Sequence, residues 1–343
     1  MSAPEAPRSA LVVGGLGFIG AALCERLVKA GWRVAVLDCL LECGGGREFH
    51  AAPGAEVVRG DARDRRLAES LVEGRDAVFN LAGRGGHLDS VRDPEGDLEH
   101  NLRGPLSVLE ACRRAAPSAV VVHASTRQVY GRVERLPVGE SHPLRPLDPN
   151  GVHKAAAEQL CLQYASMHGM RASVLRLTNV YGPRMRVMDA RQNFLGHWIG
   201  RLLRGEELVV YGDGTLRRDH LYVEDAVDAF LAAAASPAAA GRAMNVGGGR
   251  PVSFKELAET FAELAPGTRW RLEPLPEERR GIDVGDSWCD IGLARALTGW
   301  TPRTPLREGL RAALDFYHEH AQEYGVVARS LPGAVPSGRV SPV

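Results

Sequence analysis

Two clusters in this 343-residue chain have residue types and spacings suited to chemistry. The first is Gly14-Gly15-Leu16-Gly17-Phe18-Ile19-Gly20, which satisfies G-x-x-G-x-x-G through Gly14, Gly17 and Gly20, and G-x-G-x-x-G through Gly15, Gly17 and Gly20. Such a turn lets the backbone approach a pyrophosphate closely and leads it to a helix N-terminus, where free N–H groups and the helix dipole favour an anion. Asp38 follows 18 residues after Gly20. A carboxylate there can accept both ribose hydroxyls of a dinucleotide and would repel a 2′-phosphate, which favours NAD over NADP. Asp61-Ala62 is placed to reach an adenine, and Leu81-Ala82-Gly83 is small enough for close backbone approach to the same ligand. The second cluster is Asn150-Gly151-Val152-His153-Lys154. Asn150 and Lys154 stand at i, i+4 and share a helix face one turn apart. Only three of the 42 basic residues are lysines (Lys29, Lys154, Lys255), so a position that keeps Lys against that arginine background stands out. A compact ammonium fits a tight pocket that a forked guanidinium does not.

The elements that must hold these groups follow from periodicity. Strands are predicted at Ala10–Gly14, Arg33–Leu37, Glu56–Val58, Ala77–Leu81, Val120–Ala124 and Ser173–Leu177. Helices are predicted at Phe18–Ala30, Arg65–Val72, Asp97–Arg114 and Gly151–Met167. Strand, helix, strand at this spacing implies right-handed crossovers and a parallel sheet, and the unbroken apolar strands imply that both sheet faces are covered. Pro105 falls inside the third helix and should kink or locally open it. Further on, helices are expected at Val223–Ala235, at Phe254–Leu264 behind a Ser253/Glu256 capping box, and at Leu306–Tyr324, with a short strand near Met244–Val246. The Pro/Gly/Ser/Val-rich tail 325–343 is expected to be disordered.

Composition narrows the partners. The chain carries 42 basic and 42 acidic residues, which argues against nucleic acid or an anionic membrane as main partner. No apolar stretch is long enough for a membrane span. Six cysteines in a chain this long do not form a disulfide framework, and no His cluster completes a metal site. The expectation is a reduced, cytoplasmic protein.

Taken together, Gly14–Gly20, Asp38, Gly60-Asp61, Asn80–Gly83, Ser125–Gly131, Leu177–Arg184 and Gly212–Asp225 resemble the extended short-chain dehydrogenase/reductases, and more narrowly the NAD-dependent nucleotide-sugar epimerase/dehydratase group. The resemblance covers roughly residues 8 to 320 in the family's order. It implies an α/β fold: a Rossmann-type doubly wound parallel sheet with a smaller, discontinuous C-terminal substrate domain. The NAD-binding part would span 1–178 with contributions from about 223–250, and the substrate part 179–222 and 251–324. It also implies a homodimer through the helices Asp97–Arg114 and Gly151–Met167.

By the same resemblance, Thr126 of Ser125-Thr126-Arg127-Gln128-Val129-Tyr130-Gly131 takes the place of the hydroxyl that bonds the reacting sugar oxygen. Dehydratases carry Asp and Glu at the next two positions, where this chain has Arg127 and Gln128. Neither can serve as acid or base for water loss, so ordinary dehydration is disfavoured. The family's Tyr-x-x-x-Lys pair maps onto Asn150 and Lys154. Lys154 keeps the position that holds the nicotinamide ribose, but Asn150 does not titrate and cannot replace a phenolate. Two candidates remain for the proton: Lys154, directly or through a water held by Asn150, and His87, whose loop in relatives runs beside nicotinamide and sugar.

For a nucleotide-diphosphate sugar, the resemblance assigns Asn179 to the diphosphate or sugar and Val209 and Tyr211 to the nucleobase. Arg218 and Arg280 fall to the phosphates, with Arg184 in a basic loop beside them. The reading is an NAD-dependent enzyme that transiently oxidises a sugar carbinol, of epimerase type. The alternatives are a decarboxylase or dehydratase-type relative, or a catalytically silent binder that has lost its tyrosine.

Overall fold

The computed structural model describes residues 8–41, 45–188, 194–277 and 284–326. In its first half β1 (Ser9–Val13), β2 (Arg33–Asp38), β3 (Glu56–Arg59), β4 (Ala77–Asn80), β5 (Val120–Thr126) and β6 (Arg171–Leu177) alternate with helices. These are α1 (Phe18–Lys29), α2 (Arg65–Val72), α3 (His87–Arg92), α4 (Pro94–Leu98), α5 (Gly104–Ala115) and α6 (Pro149–His168). There follow β7 (Asn179–Tyr181), α7 (Phe194–Leu203), β8 (Leu208–Tyr211), β9 (Arg217–Tyr222), α8 (Val223–Ala235) and β10 (Ala243–Val246). Then come β11 (Pro251–Ser253), α9 (Phe254–Leu264), β12 (Trp270–Glu273) and the helices Gly292–Thr298 and Leu306–Glu319.

Seven strands make one parallel sheet in the order β10-β6-β5-β4-β1-β2-β3. Leu23, Leu27, Phe79 and Phe230 pack on one face, beneath α1 and α8. Leu71, Val108, Val121 and Cys161 pack on the other, beneath α2, α5 and α6. Covering both faces explains why β1 and β4 are buried at every position and show no polar alternation. The strand order reverses between β1 and β4, so their carboxyl ends form the switch point where open α/β sheets bind ligands. The later elements build a three-stranded sheet, β11-β9-β7, and a two-stranded one, β12-β8. Their own core holds Trp198, Leu257, Phe261 and Tyr317, while β10 returns to the edge of the large sheet.

Differences from the expected elements have local causes. The helix expected over Asp97–Arg114 is α4, a π-helical turn over Glu99–Arg103, and α5. Pro105 has no N–H to give to the preceding turn, and the backbone widens there. The loop expected around His87 is helical as α3. Helix α6 begins at Pro149 rather than Gly151, because Asp148 caps it: its carboxylate accepts the Gly151 N–H at 2.8 Å, and Pro fits the first helical position. The last helix stops at Glu319, before a run of turns. Of the tail expected to be disordered, Gly325 and Val326 are ordered, with Val326 buried in the second core. Residues 327–343 lie outside the described residues.

Candidate active site

The glycine turn leaves β1 and enters α1 as the spacing requires. Gly14 has φ +80°, and a Cβ there would come within 2.8 Å of the Ala82 nitrogen. A Cβ at Gly20 would lie 2.1 Å from the Gly14 carbonyl oxygen, so only glycine lets the helix sit this close to the strand end. No side chain caps α1 at Gly17. The Asp38 carboxylate closes the far side, accepting the Leu16 N–H at 3.0 Å and the Leu40 N–H at 2.8 Å. Gly14, Gly17, Asp38, Asp61, Ala62, Leu81, Ala82 and Gly83 line one groove. Phe18 and Ile19 do not face it: both are half-buried against the core, Phe18 bridging the two halves of the molecule. Asp61 is held by Arg63, with a guanidinium contact at 2.6 Å, and Arg63 reaches on to Glu99 at 2.9 Å. The Arg63 hydrogen bond keeps the Asp61 carboxyl below its ordinary range.

Gly83 links this groove to Lys154. A Cβ on Gly83 would come within 2.9 Å of Lys154 Nζ, and Nζ donates to the Ala124 carbonyl at 3.1 Å. The residue keeps part of its surface open, but its charged end lies deep in the fold. Burial pushes the ammonium down to about 8, with Asp97 and Glu158 pulling it back. Thr126 ends β5, its hydroxyl accepting the Gln128 N–H at 3.3 Å. Tyr130 of the same segment is fully buried, donating to Asn245 and accepting from Arg176, which is a packing role.

Asn150 is buried, and its amide is committed. The side-chain NH2 donates to the Arg84 carbonyl at 2.9 Å and to Asp97 Oδ2 at 3.0 Å. Asp97, fully buried, also takes His153 Nδ1 at 2.7 Å. On the other side of the same helix start, His87 Nδ1 bonds the Asp148 carboxylate, and its Nε2 meets the Gln128 amide at 2.6 Å.

His87, Arg127 and Gln128 form one wall of a cleft of about 680 Å³. Asn179, Val209, Tyr211, Arg217 and Arg218 line the rest, with Phe194, Trp198 and Phe254. That size suits a small-molecule ligand. Arg218 is buried, with its guanidinium 5.9 Å from the centre of the Phe254 ring and donating to the Gly285 carbonyl. Arg184 is not brought to this cleft. It has φ +73°, pairs with Glu25 at 2.7 Å, and lines a separate groove with Arg47 and Tyr324. Its side chain lies toward α1 and over the Phe316 ring, away from the cleft where a substrate diphosphate was expected to meet it. Arg280 lies outside the described residues.

Sequence reasoning passed over Asp148, which orients His87 at the cleft, and the aromatic lining of Phe194, Trp198 and Phe254. Asp148-Pro149 is a helix-start signature and was legible; the contact of Asp97 with α6 was not. Among the described residues no group of His, Cys, Asp and Glu could hold a metal ion, and no helix is long and apolar enough to cross a membrane.

Comparison with known proteins matches this arrangement to a family. The model of the NAD dependent epimerase/dehydratase family matches residues 10–247. A UDP-glucose 4-epimerase of Mycolicibacterium smegmatis is 33% identical, over 91% of this chain and 99% of its own. A dTDP-glucose 4,6-dehydratase of Streptomyces griseus is 33% identical, over 94% and 98%. The solved UDP-glucose 4-epimerase of Thermus thermophilus, in complex with NAD, superposes with a TM-score of 0.80 at 32% identity, over 90% of this chain and 99% of that one. With the glycine turn, the sheet order and the Lys154 position all in place, the chain belongs to the NAD-dependent epimerase/dehydratase family.

Proposed function

We propose that this protein is an NAD-dependent enzyme of epimerase type acting on a nucleotide-diphosphate sugar. The observation that carries the reading is continuity. The groove at the β1/β4 switch point, with its glycine turn and Asp38, meets Lys154 at Gly83, and the helix carrying Lys154 begins at the cleft wall. The residues fit NAD: glycines allow close approach, Asp38 suits ribose hydroxyls, and Lys154 offers a buried ammonium beside Gly83. When bound, NAD takes up and returns a hydride.

In this reading Gly14, Gly17, Gly20, Asp38, Ala62, Leu81, Ala82, Gly83 and Lys154 hold the cofactor. Thr126 bonds the reacting sugar oxygen, Asn179 and Arg218 the sugar and diphosphate, and Val209 and Tyr211 the base. Arg127 and Gln128 supply no acid or base for water loss, which favours epimerisation over dehydration. Asp61 rims the adenine end through its pair with Arg63. A homodimer is supported by Val152 and Met167, apolar side chains 50% and 71% exposed on α6. A cytoplasmic location is supported by the free state of every described cysteine.

The test is to add a panel of nucleotide sugars to the purified protein and follow the nicotinamide absorbance of the bound cofactor. Reduction, with a C-epimer recovered on release, supports the reading. No reduction by the wild type, together with gain of reduction in Asn150→Tyr, would establish a silent binder instead.

A further inference from the structure

We infer that His87 and Asp148 together replace the missing tyrosine: His87 is the catalytic acid/base and Asp148 the positioning residue behind it. The inference rests on the enzyme reading above. Three features of the structure single out this pair.

First, the other candidates are engaged elsewhere. Asn150 gives its NH2 to Arg84 and Asp97. Lys154 Nζ lies against Ala124 and Gly83, and Lys154 does not line the cleft. His153 points its Nδ1 at Asp97, within the contact between α4 and α6. His87 alone of these lines the cleft wall.

Second, the tautomer follows from the partners. An ionised carboxylate only accepts, so Nδ1 of His87 carries the hydrogen that Asp148 receives, and in the neutral ring Nε2 has the lone pair. Asp148 can play that part: burial raises its carboxyl, but hydrogen bonds from His87 and from the Gly151 and Asn150 backbone N–H groups, together with the imidazole's charge when it is protonated, hold it below its ordinary range. Its other oxygen is fixed by capping α6, so the carboxylate cannot swing away. Gln128, 2.6 Å from Nε2, can donate its NH2 to the neutral ring or, turned over, accept from the imidazolium. An amide therefore accommodates both protonation states where a carboxylate would favour only one.

Third, the same helix sets the register. Asp148 caps α6 and Lys154 lies in its second turn, so the group that orients the base and the group offered to the cofactor move as one rigid element.

In the step this implies, the Gln128 amide would give way at Nε2 of His87, and the sugar carbinol would pass its O–H proton there while its carbon-bound hydrogen would leave as hydride to oxidised NAD. The carbinol is oxidised to a ketone, the cofactor is reduced, and His87 becomes imidazolium. Return of the hydride to the opposite face takes the proton back.

The experiment combines variants with a measurement that does not depend on turnover. In the wild type, at a pH where the ring is neutral, nitrogen NMR should find His87 protonated at Nδ1 and bare at Nε2. Asp148→Asn keeps a good helix cap but should populate the Nε2–H tautomer and slow cofactor reduction by roughly 10²-fold or more. His87→Ala should slow it by roughly 10²–10⁴-fold, leave nucleotide-sugar and NAD affinity unchanged by calorimetry, and recover in part with added imidazole. An Nε2–H tautomer in the wild type, or a His87→Ala protein that reduces its cofactor at near wild-type rate, overturns the inference while leaving the enzyme reading intact. A wild type that no nucleotide sugar reduces overturns both.

Discussion

Two His–Asp pairs flank the start of α6, and they are chemically alike. His87–Asp148 stands at the cleft, with side-chain exposures of 26% and 3%. His153–Asp97 lies within the packing of α4 on α6, at 12% and 0%. In each, a buried carboxylate accepts from Nδ1 of an imidazole. The difference is what surrounds the pair. The His87 ring reaches Gln128 and the cleft. Asp97 takes a second side-chain donor, Asn150, where Asp148 takes the Gly151 backbone N–H, and its pair faces the contact of α4 with α6 rather than the cleft. A motif of residue types thus says little about catalysis until its solvent-facing atom is known.

Removing each imidazole in turn should separate the two pairs most clearly. His87→Ala should lower turnover by roughly 10²–10⁴-fold, at a smaller cost in stability than His153→Ala because its ring is the more exposed of the two (26% against 12%). His153→Ala should do the reverse: turnover within about tenfold, but a loss of about 3 kcal/mol in denaturant unfolding, because the buried Asp97 loses a partner. Equal turnover losses would erase the distinction.

Lys154→Met comes next. Burial lowers the folded pKa to about 8 from the ordinary lysine value of 10.5. The folded state therefore binds fewer protons between these values, and stability rises as pH climbs through that window. Below it, the buried ammonium costs roughly 3 kcal/mol at most. Lys154→Met should accordingly melt higher than wild type at neutral pH, lose the alkaline rise, and bind NAD poorly. Thermal melts across pH together with NAD calorimetry check this.

At the dinucleotide end, Asp38→Asn should narrow the preference for NAD over NADP by roughly 2 kcal/mol, since it removes like-charge repulsion with the 2′-phosphate. Comparative Kd values read this directly, and an unchanged ratio would assign discrimination elsewhere.

The smallest effect is expected for Asn150→Ala. The Arg84 carbonyl keeps the Asn101 donor, and Asp97 keeps His153. The variant should lose about 1 kcal/mol in unfolding experiments and change turnover less than Lys154→Met does. A collapse of turnover with folding intact would restore Asn150 to the chemistry.

The two ends of the site were not equally legible. Gly14, Gly17, Asp38 and Gly83 face one groove because they lie at or just beyond strand ends, and strand ends can be read from apolar runs and turn residues. The cleft was legible in part. Asn179, Val209, Tyr211 and Arg218 do line it, whereas Arg184 turns away through its own positive φ and bonds Glu25, 159 positions distant. Nor could the widened turn over Glu99–Arg103 be sized from Pro105 alone; the proline marks where the ladder opens, and the packing of α4 and α5 against α6 decides how.

What the amino-acid sequence determined by itself is what depends on near neighbours: the strand–helix alternation, the glycine turn, the i, i+4 register of Asn150 and Lys154, and the loss of a titrating group at position 150. Which carboxylate meets which imidazole is settled by long-range packing. His87 and Asp148 are 61 residues apart, and His153 and Asp97 are 56 apart. Local propensity acts over a few residues, while a side-chain pair at that separation exists only because the sheet order and the helix packing bring α3, α4 and the start of α6 together.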